Sequence, residues 1–103
     1  MHTLVVYVPA THLATVKQAL FNAGAGRTTR YEHCCWQVQG EGQFRPLPGS
    51  KPYLGQEGEL HVEPEYRLEL ICEDDCLESA IKALHRAHPY EEPAWMSWPV
   101  RST

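Results

Sequence analysis

Two hydrophobic rhythms run along this chain, and each half carries both. Thr3 to Val8 is an unbroken run of β formers closed by Pro9, the pattern of a strand buried on both faces. After Thr11, a suitable N-cap, Leu13, Val16 and Leu20 recur at helical spacing beside Ala19 and Ala23. That spacing predicts an amphipathic helix of about three turns, stopped at Gly24, where glycine takes the left-handed conformation without strain. Gly24-Ala25-Gly26 has the look of a phosphate-binding loop, but position 29 is Thr and the glycines close a helix instead of opening one. From Thr28 to Val38 the chain alternates as a strand. Arg30, Glu32, Cys34, Trp36 and Val38 share one face, and Thr29, Tyr31, His33, Cys35 and Gln37 share the other. Neither face is cleanly apolar, which predicts an edge strand or one packed against another subunit.

The second half repeats the theme. Leu60 and Val62 alternate with charge, Pro64 interrupts, and Tyr66, Leu68, Leu70 and Cys72 resume, so Glu59 to Cys72 reads as a strand with a bulge or an unpaired edge at Pro64. Asp75 and Glu78 fit the N-cap and N3 positions of a second helix. Leu77, Ile81, Leu84 and His88 follow a helical stripe, and Pro89 ends the helix by disfavouring helical geometry at His88. Tyr90 to Val100, with Trp95 and Trp98, supplies a last short strand. The order β-α-β-β-α-β predicts an α+β, ferredoxin-like fold with two helices on one face of a four-stranded antiparallel sheet. Between the halves, residues 40–58 hold five glycines and three prolines, with Phe44, Arg45 and Tyr53 among them. So long a loop in so small a domain is functional, interfacial or disordered, and its aromatics and Arg45 predict an ordered, projecting hairpin.

Composition narrows the classes. The 103 residues make one domain, 1–103, and 43% hydrophobic with 21% charged residues is a globular, soluble balance. The formal net charge of -4, with no basic stretch, argues against a nucleic-acid partner. No apolar run approaches the roughly 20 residues of a membrane span. The N-terminus lacks the basic start and apolar region of a secretion signal, so a cytoplasmic location is expected. There the four cysteines are expected as thiols. Cys72 and Cys76 have no second close Cys/His pair with which to complete a zinc site.

The chemistry concentrates in His88-Pro89-Tyr90-Glu91-Glu92-Pro93, an imidazole, a phenol and two carboxylates between prolines that stiffen them. His88, Glu91 and Glu92, with His33, are ligand types for a divalent transition metal. The plainer reading leaves the carboxylates solvated and makes His88 a cap at a helix C-terminus. Tyr31, Cys34, Arg45 and Tyr90 are further pocket candidates. Cys34 as a nucleophile needs a base, and His33 points the other way on a strand, so a structural thiol is the reading preferred.

Taken together, Gly24-Ala25-Gly26, Tyr31-x-His33-Cys34, Gly40-x-Gly42-x-Phe44-Arg45-Pro46, Gly49-x-x-Pro52-Tyr53-x-Gly55 and His88-Pro89-Tyr90-Glu91-Glu92-Pro93-Ala94 resemble the CutA/PII-like insert domain of the YqfO family. Proteins of that family carry dinuclear-metal and GTP cyclohydrolase-homologue labels. The resemblance covers nearly the whole chain. It implies the ferredoxin-like fold and a homo-oligomer, a trimer as in CutA. It also implies that the family's dinuclear ligands lie in flanking domains, so the chain is expected to be the insert alone, or to meet those domains in a protein partner. In this topology the second and fourth strands are opposite edges. Edge-to-edge assembly would then bring His33 of one copy to the His88–Glu92 segment of the next as an intersubunit pocket. The function expected is a small oligomeric binding or regulatory module. The alternatives are a structural or protein-interaction module and, below it, a metal-assisted hydrolase with Glu91 or Glu92 as base.

Overall fold

The computed structural model describes residues 1–101. Strand β1 (His2–Pro9) passes through a 3-10 turn (Ala10–His12) into helix α1 (Leu13–Asn22). Strands β2 (Trp36–Phe44) and β3 (His61–Cys72) follow, then a second 3-10 turn (Asp74–Cys76), helix α2 (Leu77–Ala87) and strand β4 (Trp95–Pro99). The strands are antiparallel in the order β2-β3-β1-β4, so β2 and β4 are the edges, and the α+β ferredoxin-like expectation holds.

β1 is central, which is why its sequence is apolar on both faces. Leu4, Val6 and Val8 pair with Leu70, Leu68 and Tyr66 of β3. On the helix side they meet Val16 and Leu20 of α1 and Ala80 and Leu84 of α2 in one core. Each buried aliphatic side chain here contributes roughly 1.5–3 kcal/mol. Val5, on the opposite side, is also buried. α1 ends as its glycine predicts. Gly24 takes φ +99°, its N–H bonds to Phe21 O at 3.0 Å, and the Ala25 N–H bonds to Leu20 O at 3.1 Å, the two bonds of a Schellman cap.

The helix starts differ from expectation. Neither Thr11 nor Asp75 caps a helix; His12 and Cys76 occupy the N-cap positions, without side-chain cap bonds. Each helix instead enters through its 3-10 turn, where the Leu13 and Leu77 N–H groups bond to Ala10 O and Asp74 O. Asp74 pairs with the N-terminal amine at 2.7 Å and with His2 at 2.9 Å.

The second strand also differs. It begins at Trp36, not Thr28, and runs on through the first part of the Gly-rich segment to Phe44. Residues 27–35 form an excursion outside the sheet. It is opened by Gly26 (φ +73°), turned again by His33 (φ +60°), and pinned by Cys34 N–H to Gly26 O at 2.8 Å. β1 pairs with β3 only as far as Pro9–Glu65, whereas β2 and β3 stay paired out to Phe44–His61. The β2–β3 hairpin therefore projects, and the molecule measures 47 × 24 × 22 Å. Pro64 lies in this overhang, opposite Glu41 and beyond the end of β1. The register runs through it without a bulge, and its missing N–H is tolerated at this edge.

The face of the sheet away from the helices carries exposed Trp36 and Val38 of β2 and Met96 and Trp98 of β4. They stand opposite Glu69, Arg67, Val5 and Thr3. Trp95 points the other way, edge-on to His85 of α2 at 5.8 Å. Among the described residues no helix is long and apolar enough to cross a membrane.

A candidate ligand groove under the long loop

The overhang leaves a space at the end of β1, and two stretches of chain close over it. Pro89 forces His88 out of helical geometry (φ -75°, ψ 134°), which throws residues 89–94 across the end of β1. From the other side the loop after β2 folds back, held by Gly58 N–H to Pro46 O at 2.8 Å. Between them lies a groove of about 580 Å³, floored by Tyr7, Phe44 and Glu65 and walled by residues 45–54 and 90–94.

His88 anchors the wall from behind. It is only 5% exposed. Its Nδ1 accepts the Tyr90 N–H at 3.1 Å. The proton therefore sits on Nε2, which donates to Tyr7 O at 2.7 Å. Burial lowers its pKa, with His12 and His85 adding repulsion, so the ring is held neutral. Tyr90 donates its hydroxyl to Glu65 Oε2 at 2.9 Å, and its ring meets Phe44 edge-on at 5.8 Å. Burial, then the Glu65 bond, pushes the phenol pKa up. Glu91 Oε1 accepts the Lys51 N–H at 3.0 Å, clasping the loop to the wall. Tyr53 packs edge-on to His12 at 5.5 Å.

Glu65 reaches Tyr90 because Gly42 on the neighbouring strand leaves room; a Cβ at Gly42 would fall on the Glu65 carboxyl group. Gly42→Ala is expected to break the Tyr90–Glu65 bond at a cost of about 1 kcal/mol. Ultraviolet titration should then show the Tyr90 phenol ionising at lower pH than in the parent, and an unchanged titration would count against the contact.

The sequence candidates thus divide. Arg45, Tyr90, Glu91 and Glu92 line one groove. Tyr31, His33 and Cys34 lie at the other end of β1: Cys34 bonds to Gly26, and Gly26 N–H to Ile71 O at 2.7 Å. Ile71 pairs with Thr3, four residues from Tyr7, or ~14 Å at about 3.4 Å per residue. The His33 ring stacks on Phe21 at 4.7 Å, and Tyr31 is 72% exposed. One chain therefore does not bring the four proposed metal ligands together. Among the described residues, no group of three or more His, Cys, Asp or Glu is arranged to hold a metal.

Cys34 and Cys35 are not on a strand, so the opposite-face expectation lapses; Cys35 packs against the core. All four cysteines are free thiols. Burial raises the Cys72 pKa to about 11 and also raises that of Cys76, so both stay protonated at neutral pH. Sequence reasoning missed Tyr7 and Glu65. The available signals were a tyrosine inside an otherwise aliphatic run and a glutamate beside the strand proline.

No protein-family model matches the chain. It is 43% identical over 100 residues to the GTP cyclohydrolase 1 type 2 homolog of Bacillus subtilis, a match covering 97% of this chain and 27% of that protein. The Mycobacterium leprae protein of the same name is 44% identical over 91 residues, covering 88% of this chain and 24% of its own. Among solved structures, a Bacillus cereus protein related to NIF3 superposes with a TM-score of 0.83 at 38% identity, over 98% of this chain and 26% of that one. Over nearly its whole length the chain is homologous to a segment of these YqfO/NIF3-family proteins. It spans about a quarter of the length of the curated relatives it matches (27% and 24%). Its fold is also that of the PII-like protein CutA from Nostoc, with a TM-score of 0.68 at 16% identity over 97% of this chain and 81% of that one. The periplasmic divalent cation tolerance protein CutA from Archaeoglobus fulgidus gives 0.69 at 13% identity, over 100% of this chain and 87% of that one.

Proposed function

We propose that this domain is a binding and regulatory module that works as a homo-oligomer, with the groove under the long loop as its ligand site. The observation that carries the reading is convergence. The Gly/Pro-rich loop and the His88–Pro93 stretch are far apart in sequence, yet both supply walls to one concave, largely apolar space with a few charged groups at its rim. The ligand is a small molecule or a divalent cation. Glu91 and Glu92 supply hard oxygen donors. The exposed sheet face with Trp36, Val38, Met96 and Trp98 supports assembly through copies of the chain, and the trimer is the state we favour. In such an assembly His33 of one copy would complete a metal site with Glu92 of its neighbour. His88 would stay out of it, because both its ring nitrogens are engaged. Divalent cation tolerance, named for the Archaeoglobus neighbour, is in keeping with this.

A structural module is the second reading, favoured by the Glu91 bond to the Lys51 amide. Native mass spectrometry with elemental analysis, on protein purified without chelator, separates the two. A binding module is expected as an oligomer that takes up metal or ligand stoichiometrically without turnover and loses it on Glu91→Gln. If Glu91→Gln changes only stability or subunit number, in ligand-free protein, the structural reading replaces the first. Turnover abolished by Glu91→Gln in a folded protein would instead make the groove a hydrolase site.

A further inference from the structure

We propose that the groove takes an organic cation, an amine or guanidinium on an apolar body. This rests on the reading of the groove as the ligand site and names the chemistry of its occupant. Three acidic residues, Glu65, Glu91 and Glu92, line the groove against one basic residue, Arg45. Glu65 and Glu91 each use one oxygen internally. Their other oxygens and both of Glu92 accept no hydrogen bond among the described residues. The walls between these charges are aromatic and aliphatic: Tyr7, Phe44, Tyr53 and Tyr90, with prolines and leucines of the loop. An aromatic face beside a carboxylate is the usual receptor for a positively charged nitrogen, and the apolar wall accepts its carbon skeleton.

The domain already contains one such pairing. Arg67 lies 5.7 Å from the centre of the Tyr7 ring, bonds to the Tyr7 hydroxyl at 2.7 Å and pairs with Glu69 at 2.6 Å. Tyr7 is also on the groove floor, so a guanidinium held by phenol and carboxylate stands next to the site. A bare divalent ion makes a different demand. It needs six or more oxygens around one point, and no trio of acidic or imidazole groups is so arranged among the described residues. An organic cation needs only one or two carboxylates.

The test is isothermal titration of the full chain at low salt with agmatine and tyramine, set against adenosine monophosphate and magnesium chloride. Saturable binding of at least one cation is expected. Glu92→Gln should weaken it about 10-fold, and 0.5 M salt, taken as roughly a screening concentration, should weaken it further. Arg45→Gln should tighten it by roughly 3-fold, because a like charge leaves the rim. Both positions are exposed, so the variants should fold. If neither cation binds at about 10 mM while the nucleotide or magnesium binds in an Arg45- or Glu92-dependent way, the organic-cation assignment fails and the groove stands as a site. If no probe binds, or binding ignores both substitutions, both fall together.

Discussion

His88→Ala is expected to destabilise the domain by about 3–5 kcal/mol, a large share of the 5–15 kcal/mol typical of a small fold. The substitution removes a buried ring and leaves a cavity. It also strips partners from two backbone groups: Tyr7 O loses its donor and Tyr90 N–H its acceptor. An unpaired buried group costs about 1–3 kcal/mol. Since residues 89–94 form a wall of the groove, the same change should release the Glu91 clasp and expose the amide of Lys51. Urea unfolding reads the first effect and amide exchange at Lys51 the second. His88→Gln, which keeps a donor near Tyr7 O, should recover part of the loss. If His88→Ala unfolds within 1 kcal/mol of the parent, taken as roughly one ordinary hydrogen bond, His88 does not anchor the wall.

The same histidine carries a pH signature. Burial holds its folded pKa below the ordinary 6.5. As pH falls through about 6.5 the unfolded chain takes up a proton that the folded chain refuses, so stability is full above that value and declines below it. The decline continues until the pH reaches the lowered folded pKa, and it should be absent from His88→Gln. Asp74 titrates in another window. Its bonds to the N-terminal amine and His2 hold its carboxyl below the ordinary 3.8, so its contribution is lost only as pH falls through that lower value. Comparing the parent with His88→Gln between pH 5 and 7, roughly the ordinary histidine range, isolates the imidazole.

The parts of the fold legible in the sequence are those set by local chemistry. Thr3–Val8 is apolar on both faces because β1 is central. Gly24 stops α1, and Pro89 turns His88 out of α2. The groove was legible only in halves. Both contributing stretches stood out, the glycine- and proline-rich loop and His88–Pro93. Which partner each meets depends on the length of the β2–β3 overhang, a non-local quantity fixed by pairing register. The β-like alternation of residues 28–35 hid it. Those residues have strand chemistry, but the backbone there is turned twice, at Gly26 and His33, and never enters the sheet. Starting β2 eight residues early sends the hairpin's first half into the wrong place and makes the loop look longer than it is. That misreading also put His33 and Cys34 on opposite strand faces, whereas they belong to a turn at the far end of β1 from the groove.

Gly26→Ala tests that turn and is expected to cost about 2–4 kcal/mol. Gly26 sits at φ +73°, where a residue with a Cβ is strained by roughly 1–2 kcal/mol. The added Cβ would also lie 2.5 Å from Cys34 O and 3.1 Å from the Phe21 ring. The carbonyl is backbone and has little freedom to yield, since Gly26 is tied on both sides, by its N–H to Ile71 O at 2.7 Å and by its O to Cys34 N–H at 2.8 Å. Relief therefore means losing one of those bonds, about 1 kcal/mol more. Gly24→Ala is the control. It too has positive φ, but its Cβ would meet the Cys76 sulfur at 2.9 Å, a side-chain atom that can rotate away. Urea midpoints should rank Gly26→Ala well below Gly24→Ala, and chemical shifts at His33 and Phe21 should move only in the first, because their ring stack rests on that turn. Equal midpoints, with the His33 signals unmoved, would mean that the Gly26–Cys34 link does not hold the turn, and β2 could begin earlier, as its sequence suggests.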